Sequence, residues 1–215
     1  RHSPRGLTRR PRASMQAVVG GGRPRSLTGT REEKPRRILL PLPLLLLPVG
    51  AFLEPATPAG RVLVTVGGDL PAGNVEASDE EDGDFFGYLD LTFATGVGFD
   101  DAALGALDQG SITLPAFGPW TDVTFTGPTL ASVLIAAGAE GHTAQPMALD
   151  GYQVDIGWDN ISSLNPILAT HVDGRPLSLG GYGPAAIIYP PQENAETQEE
   201  LNGLQVWAVI FIGVE

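Results

Sequence analysis

Cysteine is absent from all 215 residues of this chain. Disulfide bonds therefore contribute nothing to its stability, and the fold must depend on packing alone. The same absence removes every thiolate, the soft ligand on which many transition-metal sites depend. The sequence thus excludes a small disulfide-stapled scaffold and any metal site that needs cysteine sulfur.

Positive charge is scarce after residue 37. Residues 38–215 hold two basic side chains, Arg61 and Arg175, against 23 acidic ones, a net charge of −21. Residues 1–37 hold eleven basic and two acidic side chains, a net charge of +9. Because Lys and Arg must neutralise phosphates for nucleic acid to bind, we expect no nucleic-acid partner for the acidic body. Arg-rich arms do bind DNA or RNA, so that interpretation stays open for residues 1–37 alone.

No apolar run is long enough to cross a bilayer. Residues 38–53 are uncharged and apolar, but they fall short of the roughly 20 residues required and contain three prolines. A basic stretch precedes them, and small residues follow near Ala51 and Ala59. This pattern predicts a secretory signal peptide, with its apolar and cleavage regions at 38–59, and a periplasmic or secreted protein. A single N-terminal membrane anchor is the alternative.

Two further segments complete the predicted organisation. Residues 1–37 are rich in Arg, Pro, Gly and Ser without apolar periodicity, so we expect a disordered basic extension that is absent from the mature protein. Residues 60–215 have the length of one domain, and a chain that is 42% hydrophobic can build a core for it.

Most of the predicted elements in this domain are strands. Alternating or continuous apolar patterns predict strands at 61–66, 88–95, 111–114, 123–125, 147–149, 153–156, 167–172, 185–189 and 204–212. Asp173-Gly174 predicts a tight turn after the strand at 167–172.

Two helices are predicted as well. The first follows Asp100 and has apolar residues at helical spacing. The second opens with Gly127-Pro128 and ends at Gly138, and its predicted inner face consists of Leu130, Val133, Leu134 and Ala137.

Four motifs in the second half of the chain occur in a defined order. They are Thr-Gly-Pro-Thr-Leu at 126–130, Asp-Gly-Tyr at 150–152, Asp-Gly-Arg-Pro-Leu at 173–177 and Gly-Pro-Ala-Ala-Ile-Ile-Tyr-Pro at 183–190. In this order and at these intervals they resemble the oxidoreductase molybdopterin-binding domain, the pterin-holding core of the sulfite oxidase family. The resemblance covers residues 99–215. It implies an α+β fold of the sulfite oxidase type, with mixed curved sheets and few short helices.

The chain departs from that family where the metal binds. The cysteine ligand of the molybdenum enzymes lies on the segment leading into the Thr-Gly-Pro helix, which corresponds here to 113–117, where no thiolate exists. The cofactor's phosphate also needs Arg and Lys, which the body lacks. The resemblance therefore implies an exported pterin-binding protein without molybdenum, a sensing module for a membrane receptor or signalling partner rather than an enzyme. The alternative is a molybdopterin-dependent oxidoreductase with a non-cysteine metal environment.

A pterin ring without phosphate is flat, aromatic and nearly neutral. Carboxylates can accept hydrogen bonds from its amino-pyrimidine edge, and aromatic side chains can stack on its face. The candidate ligand-binding residues in or beside the shared motifs are Trp120, Asp122, Asp150, Tyr152, Arg175, Tyr182, Gly183 and Tyr189. No residue is assigned to catalysis or to metal binding.

Each candidate also has a plainer interpretation. Asp150 precedes a glycine and would form a turn, and Arg175 would pair with one of many carboxylates. Tyr152 and Tyr189 would fill the core or its rim. Trp207 stands inside an apolar run, so we expect it to be a core residue.

Overall fold

The computed structural model describes residues 54–79, 85–118 and 120–215. All of them belong to one compact unit, Pro48–Glu215. The predicted basic extension 1–37 and the apolar run 38–53 lie outside the described residues. Within the described ranges, no helix is long and apolar enough to span a membrane.

Fifteen helices and strands are assigned in the described residues. In chain order they are β1 Val64–Gly68, α1 Phe85–Tyr88, β2 Gly96–Phe99, α2 Asp101–Gly105, β3 Gln109–Phe117, β4 Trp120–Pro128, α3 Leu130–Ala137, β5 Ala144–Ala148, α4 Trp158–Leu164, β6 Ile167–Ala169, β7 His171–Val172, β8 Arg175–Pro176, β9 Ala186–Ile188, α5 Ala195–Asn202 and β10 Val209–Val214. The domain is α+β, with several sheets and few short helices, as the sequence predicts at this coarse level.

The first sheet has the strand order β2-β1-β10-β5. Strands β1 and β10 pair in parallel, with Thr65 opposite Phe211, and the other two pairs are antiparallel. Val64 and Val66 point into the largest core cluster, where they pack with residues of α3 and β10. Phe211 packs on the other face against Phe93, with ring centroids 5.4 Å apart.

The second sheet has the order β3-β4-β7-β8 and is dominated by one long hairpin. Strands β3 and β4 stay in register from the pair Gln109–Pro128 to the pair Phe117–Trp120. Their alternate residues, such as Ile112, face a second core cluster, because successive side chains on a strand point to opposite faces. The hairpin therefore carries Phe117 and Trp120 together to its tip.

The predicted second helix is confirmed, although it begins later than expected. Thr129 is its N-cap, the four residues of the predicted inner face are buried, and Gly138 ends it with φ of 82°. Gly127 and Pro128 belong to β4 instead. A Cβ atom on Gly127 would lie 2.2 Å from the Leu168 carbonyl oxygen, so glycine is needed where β4 passes β6.

The first helix and the turn at Asp173-Gly174 are confirmed. Asp100 caps α2 by accepting a hydrogen bond from the Ala103 amide. Asp173 and Gly174 both have positive φ and join β7 to β8 as a two-residue hairpin.

Several strand predictions are wrong. Residues 88–95 alternate in burial, but Ser78–Phe93 is a lone bridge there, and Asp90 has φ of 56°. Residues 153–156 likewise form only isolated bridges. The run 204–212 does not become a strand until Val209. An apolar pattern predicts burial, and a strand also needs a partner of matching length.

Three helices were not predicted. Helix α1 has four residues, α4 has seven, and α5 is a polar helix in which Leu201 is the buried residue. Helices of four and seven residues are too short to show hydrophobic periodicity, and α5 is too polar to show it.

Candidate ligand-binding site

Four aromatic side chains meet at the tip of the β3–β4 hairpin. We call Phe117, Trp120, Tyr182 and Trp207 the aromatic cluster. Phe117 lies 5.3 Å from Trp207 and 5.0 Å from Tyr182, measured between ring centroids. Tyr182 lies 4.9 Å from Trp207 and 5.0 Å from Trp120. The cluster brings together two of the predicted site residues, Trp120 and Tyr182.

The hairpin holds the first half of the cluster in place. Phe117 and Trp120 are a cross-strand pair, and their rings stack with centroids 6.1 Å apart and planes 4° apart. Gly118 follows Phe117 with φ of 54°, and a Cβ atom there would lie 2.6 Å from the Tyr182 hydroxyl. Glycine adopts this left-handed conformation without strain, and the missing Cβ atom leaves room for the Tyr182 hydroxyl.

The second half of the cluster is held by the backbone of Ala208. Its amide donates to the Tyr182 carbonyl at 2.9 Å, and its own carbonyl accepts from the Leu149 amide at 3.0 Å. Ala208 has φ of 52°, a conformation that non-glycine residues rarely adopt. This arrangement leaves the side chain of Trp207 46% exposed. The prediction that Trp207 is a core residue is wrong, because the chain turns at Ala208 before β10 begins.

A groove of about 470 Å³ lies beside the cluster. It is lined by residues 114–118 and by Pro191, Gln192, Gln198, Asn202, Gln205 and Trp207. None of these lining side chains is charged, although the domain as a whole is strongly acidic. The groove therefore offers aromatic faces and neutral hydrogen-bonding groups to a ligand.

The amide side chains of the groove are linked to one another. Gln198 accepts from the Gln192 backbone amide at 2.8 Å and donates to Asn202 Oδ1 at 2.9 Å. Gln205 also donates to Asn202 Oδ1, at 3.3 Å. Its Oε1 is buried and has no hydrogen-bond partner within the described parts of the chain. A buried acceptor without a donor costs about 1–3 kcal/mol.

Three predicted site residues lie away from the groove lining. Asp122 is exposed on β4 with φ of 51°. The Asp150 side chain accepts a hydrogen bond from the Tyr152 amide at 3.1 Å. It therefore stabilises a turn, as the plainer interpretation of Asp150 predicts. Tyr152 is 48% exposed, and its hydroxyl donates to the Gly203 carbonyl at 3.0 Å.

The last three predicted site residues also lie outside the groove lining. Arg175 is exposed on β8 and does not line the groove. A Cβ atom on Gly183 would lie 2.5 Å from the Leu177 carbonyl carbon, so this glycine allows two backbone segments to pack. Tyr189 is fully buried, and its hydroxyl donates to Asn160 Oδ1 at 2.7 Å. Desolvation by burial raises the pKa of Tyr189 well above its ordinary value, as expected for a core tyrosine.

The groove residues do not fit a molybdenum–dithiolene group. By the resemblance, segment 113–117 corresponds to the one that holds the metal-binding cysteine. Its residues 114–117 line the groove, and they are Leu, Pro, Ala and Phe. The lining contains no carboxylate or imidazole for a metal and no cation for a phosphate. Across the described ranges, no three His, Cys, Asp or Glu side chains are grouped as metal ligands.

Comparison with known proteins adds no assignment. No protein-family model matches the chain, and no curated protein is significantly similar to it. The function of the groove therefore has to be inferred from its own residues.

None of the eight predicted ligand-binding residues lines the groove, although Trp120 and Tyr182 belong to the aromatic cluster beside it. The side-chain amides at 192, 198, 202 and 205 lie on or beside α5, a helix too polar to show hydrophobic periodicity. Trp207 stands among apolar neighbours in the sequence, which made it look like a core residue. One signal was available: glutamine and asparagine recur from Gln192 to Gln205, in a stretch that closely follows the Gly-Pro motif.

Proposed function

We propose that the groove binds a planar, uncharged nitrogen heterocycle of the pterin class, and that the protein is a binding module rather than an enzyme. The observation that carries this proposal is the pairing of an exposed Trp207 with the unpartnered, buried Oε1 of Gln205 in an uncharged groove.

Aromatic stacking supplies the first part of the argument. Trp207 is held edge-on by Phe117 and Tyr182, with interplanar angles of 67° and 74°, so its neighbours leave much of the indole exposed. Stacking of a flat heterocycle on such a side chain contributes about 1–3 kcal/mol. Because the cluster fixes the ring beforehand, little conformational entropy is lost on binding.

Hydrogen bonding supplies the second part. The pyrimidine edge of a pterin alternates donors and acceptors, and a side-chain amide carries one of each. An amino group of the ligand would give Gln205 Oε1 the donor that it lacks. We had expected a carboxylate in this role, and the groove offers amides in its place.

Charge supplies the third part. No cation lines the groove, and Arg175 lies outside it. A neutral heterocycle needs no such cation, whereas the phosphate of a molybdenum cofactor would. The alternative of a molybdopterin-dependent oxidoreductase is therefore not favoured by any residue of the groove.

A sulfite oxidase-type fold and a role in export and sensing belong to the same proposal. The fold assignment is supported by the place of residues 114–117, since the segment that resembles the family's metal-binding segment lines the groove. Export is supported by the basic stretch and apolar run before residue 54. A module that binds a pterin without transforming it would report the ligand to a membrane signalling partner.

The test is a calorimetric titration of the full chain with neopterin. We expect saturable binding, a loss of about tenfold in affinity for Trp207→Ala, and near-normal affinity for Trp207→Phe, which keeps an aromatic face. Arg175→Gln is the matched control outside the groove and should bind as the wild type does. Equal affinity of Trp207→Ala and wild type would refute the proposal, and so would stoichiometric molybdenum in the purified protein.

A substitution of Gln205 should change stability and ligand affinity in opposite directions. Gln205→Leu removes the unpartnered acceptor and one long, exposed hydrogen bond to Asn202, so the free protein should become more stable, by at most about 1 kcal/mol. Neopterin affinity should fall about fivefold in the same variant, because the ligand loses its acceptor. A fall in both stability and affinity would show that Gln205 has only a structural role.

A further inference from the structure

A second, larger cavity shares no lining residue with the groove. Its volume is about 700 Å³, and it lies against the first sheet, where Thr65 of β1 and Ile210 of β10 contribute to its wall. Phe86 and Phe93 form part of the same wall, and their rings meet edge to face with centroids 5.8 Å apart. A cavity of this size and apolar lining is typical of a small-molecule site.

Exposed apolar side chains surround the cavity. Phe85, Leu149 and Leu179 all line it, and each is between 41% and 57% exposed. Single exposed apolar residues are ordinary on a protein surface, but three around one cavity form an apolar patch whose exposure to water is unfavourable. The patch favours an occupant with an extended apolar body.

One polar side chain points into this apolar space without a partner. Thr65 is only 3% exposed and lines the cavity, yet its hydroxyl makes no hydrogen bond to any residue in the described ranges. Ser78, the other hydroxyl of the wall, donates to the Leu91 carbonyl at 3.2 Å and is therefore satisfied. A ligand oxygen in the cavity can supply a partner for this hydroxyl.

The cavity also holds one of the two cations of residues 54–215. Arg61 lines it, is exposed, and forms no ion pair with a carboxylate in the described ranges. Glu76 lines the same cavity without pairing with Arg61. The Leu63 amide donates to Phe99 and extends the pairing of β1 with β2, so Arg61 and Thr65 lie about 13 Å apart along an extended chain.

We propose that this cavity binds an elongated apolar carboxylate with a hydroxyl group at its far end, of the ω-hydroxy fatty acid class. The carboxylate pairs with Arg61 at the mouth, the chain covers the Phe and Leu wall, and the terminal hydroxyl reaches Thr65. The backbone separation of about 13 Å between Arg61 and Thr65 makes a chain of about twelve carbons a suitable probe. This site is independent of the pterin groove.

The test is a titration of the full chain with three probes below their micellar concentrations. We expect ω-hydroxydodecanoate to bind about fivefold more tightly than dodecanoate, because only the former satisfies Thr65. In Thr65→Val, which keeps the side-chain shape, this advantage should disappear. An advantage that persists in Thr65→Val would overturn the placement of the hydroxyl, and failure of both carboxylates to bind would overturn the proposal.

Charge variants test the other end of the ligand. Arg61→Gln should weaken both carboxylates about threefold, as expected for an exposed ion pair, and leave dodecanediol unaffected. Glu76→Gln should strengthen both carboxylates. Ala77→Trp, which fills the cavity from its wall, should remove binding of all three probes, whereas Trp207→Ala in the groove should change none of them. Unaltered binding in Ala77→Trp would place the ligand elsewhere and refute the site.

Discussion

The groove and the cavity of this domain differ in how their walls are built. The tip of the β3–β4 hairpin and the polar helix α5 with its flanking residues supply the groove, whose side chains are apolar, aromatic or amide and carry no charge. Strand faces and apolar loops supply most of the cavity wall, which adds a single cation and a single carboxylate at Arg61 and Glu76. Recognition in the groove therefore depends on stacking and hydrogen-bond direction, and recognition in the cavity depends mainly on apolar area and length.

The comparison shows how an acidic chain forms two cavities that are nearly free of acid. Among the described carboxylates, Glu76 is the one that lines either of them. The others face solvent or serve the backbone, as Asp100 and Asp173 do. Net charge thus describes the field around this protein and says little about its cavities.

Gly127→Ala should have the largest effect on stability, because it disturbs the crossing of β4 and β6 on which the hairpin and its groove depend, whereas neither strand lines the cavity. The added Cβ atom would meet the backbone of Leu168 and Ala169, which cannot move like a flexible side chain, so we expect a loss of about 3 kcal/mol. Thermal denaturation checks this. Gly105→Ala, at a helical glycine with no atom within 4 Å, should stabilise the protein slightly.

Gly118→Ala should weaken ligand binding in the groove and leave ligand binding in the cavity unchanged. The new Cβ atom would press on the Tyr182 hydroxyl in a left-handed conformation, so we expect a loss of about 2 kcal/mol and weaker neopterin binding. Binding of ω-hydroxydodecanoate should stay unchanged. Gly141→Ala is the matched control, since its φ is 88° and no atom lies nearby. If both substitutions weaken neopterin equally, the aromatic cluster does not shape the groove.

Tyr189→Phe should affect neither site, although Tyr189 was a predicted ligand-binding residue. The variant leaves Asn160 Oδ1 without its donor, and we expect a loss of about 1–2 kcal/mol in the free energy of unfolding. Chemical denaturation measures it. The paired variant Tyr152→Phe removes an exposed hydrogen bond and should cost much less. A change in either ligand's affinity for Tyr189→Phe would contradict its assignment to the core.

Asp100 should make a small, pH-dependent contribution outside both sites. Hydrogen bonds from the amides of Ala103 and Gly60 lower the pKa of its carboxyl, and burial opposes them more weakly. Because the folded-state pKa lies below the unfolded one, this stabilisation is present above the unfolded value and is lost as pH falls through the folded value. Asp100→Asn should therefore lose less stability than the wild type on acidification below about pH 4. Asp69→Asn, at an exposed position, should follow the wild type.

Part of the candidate site was predictable and part was not. Trp120 and Tyr182 were predicted from motif positions, and the structure brings them together with centroids 5.0 Å apart. Gly183 and Tyr189 belong to a shared motif as well, but their surroundings show packing rather than an open face. A motif identifies residues whose identity matters, and it does not separate those that support the backbone from those that meet a ligand.

The fold divides in a similar way. The apolar face and the terminal glycine of helix α3 were predicted correctly, because both are local signals, whereas its start was placed too early, at Gly127-Pro128. The strand predicted at 88–95 failed, since its pattern was right and its partner strand was missing.

The amino-acid sequence alone determined the absence of thiolates, the charge of the body, the α+β class and the helix α3, since these depend on composition or on neighbours within a few residues. Tertiary structure decided which side chains share a cavity. The groove joins residues 114–118 to Gln192 and Trp207, and the cavity joins Arg61 to Leu179, across separations in sequence that no local pattern records. Burial also decided the role of Tyr189, because a hydroxyl removed from water must find its partner inside the core, as this one does at Asn160.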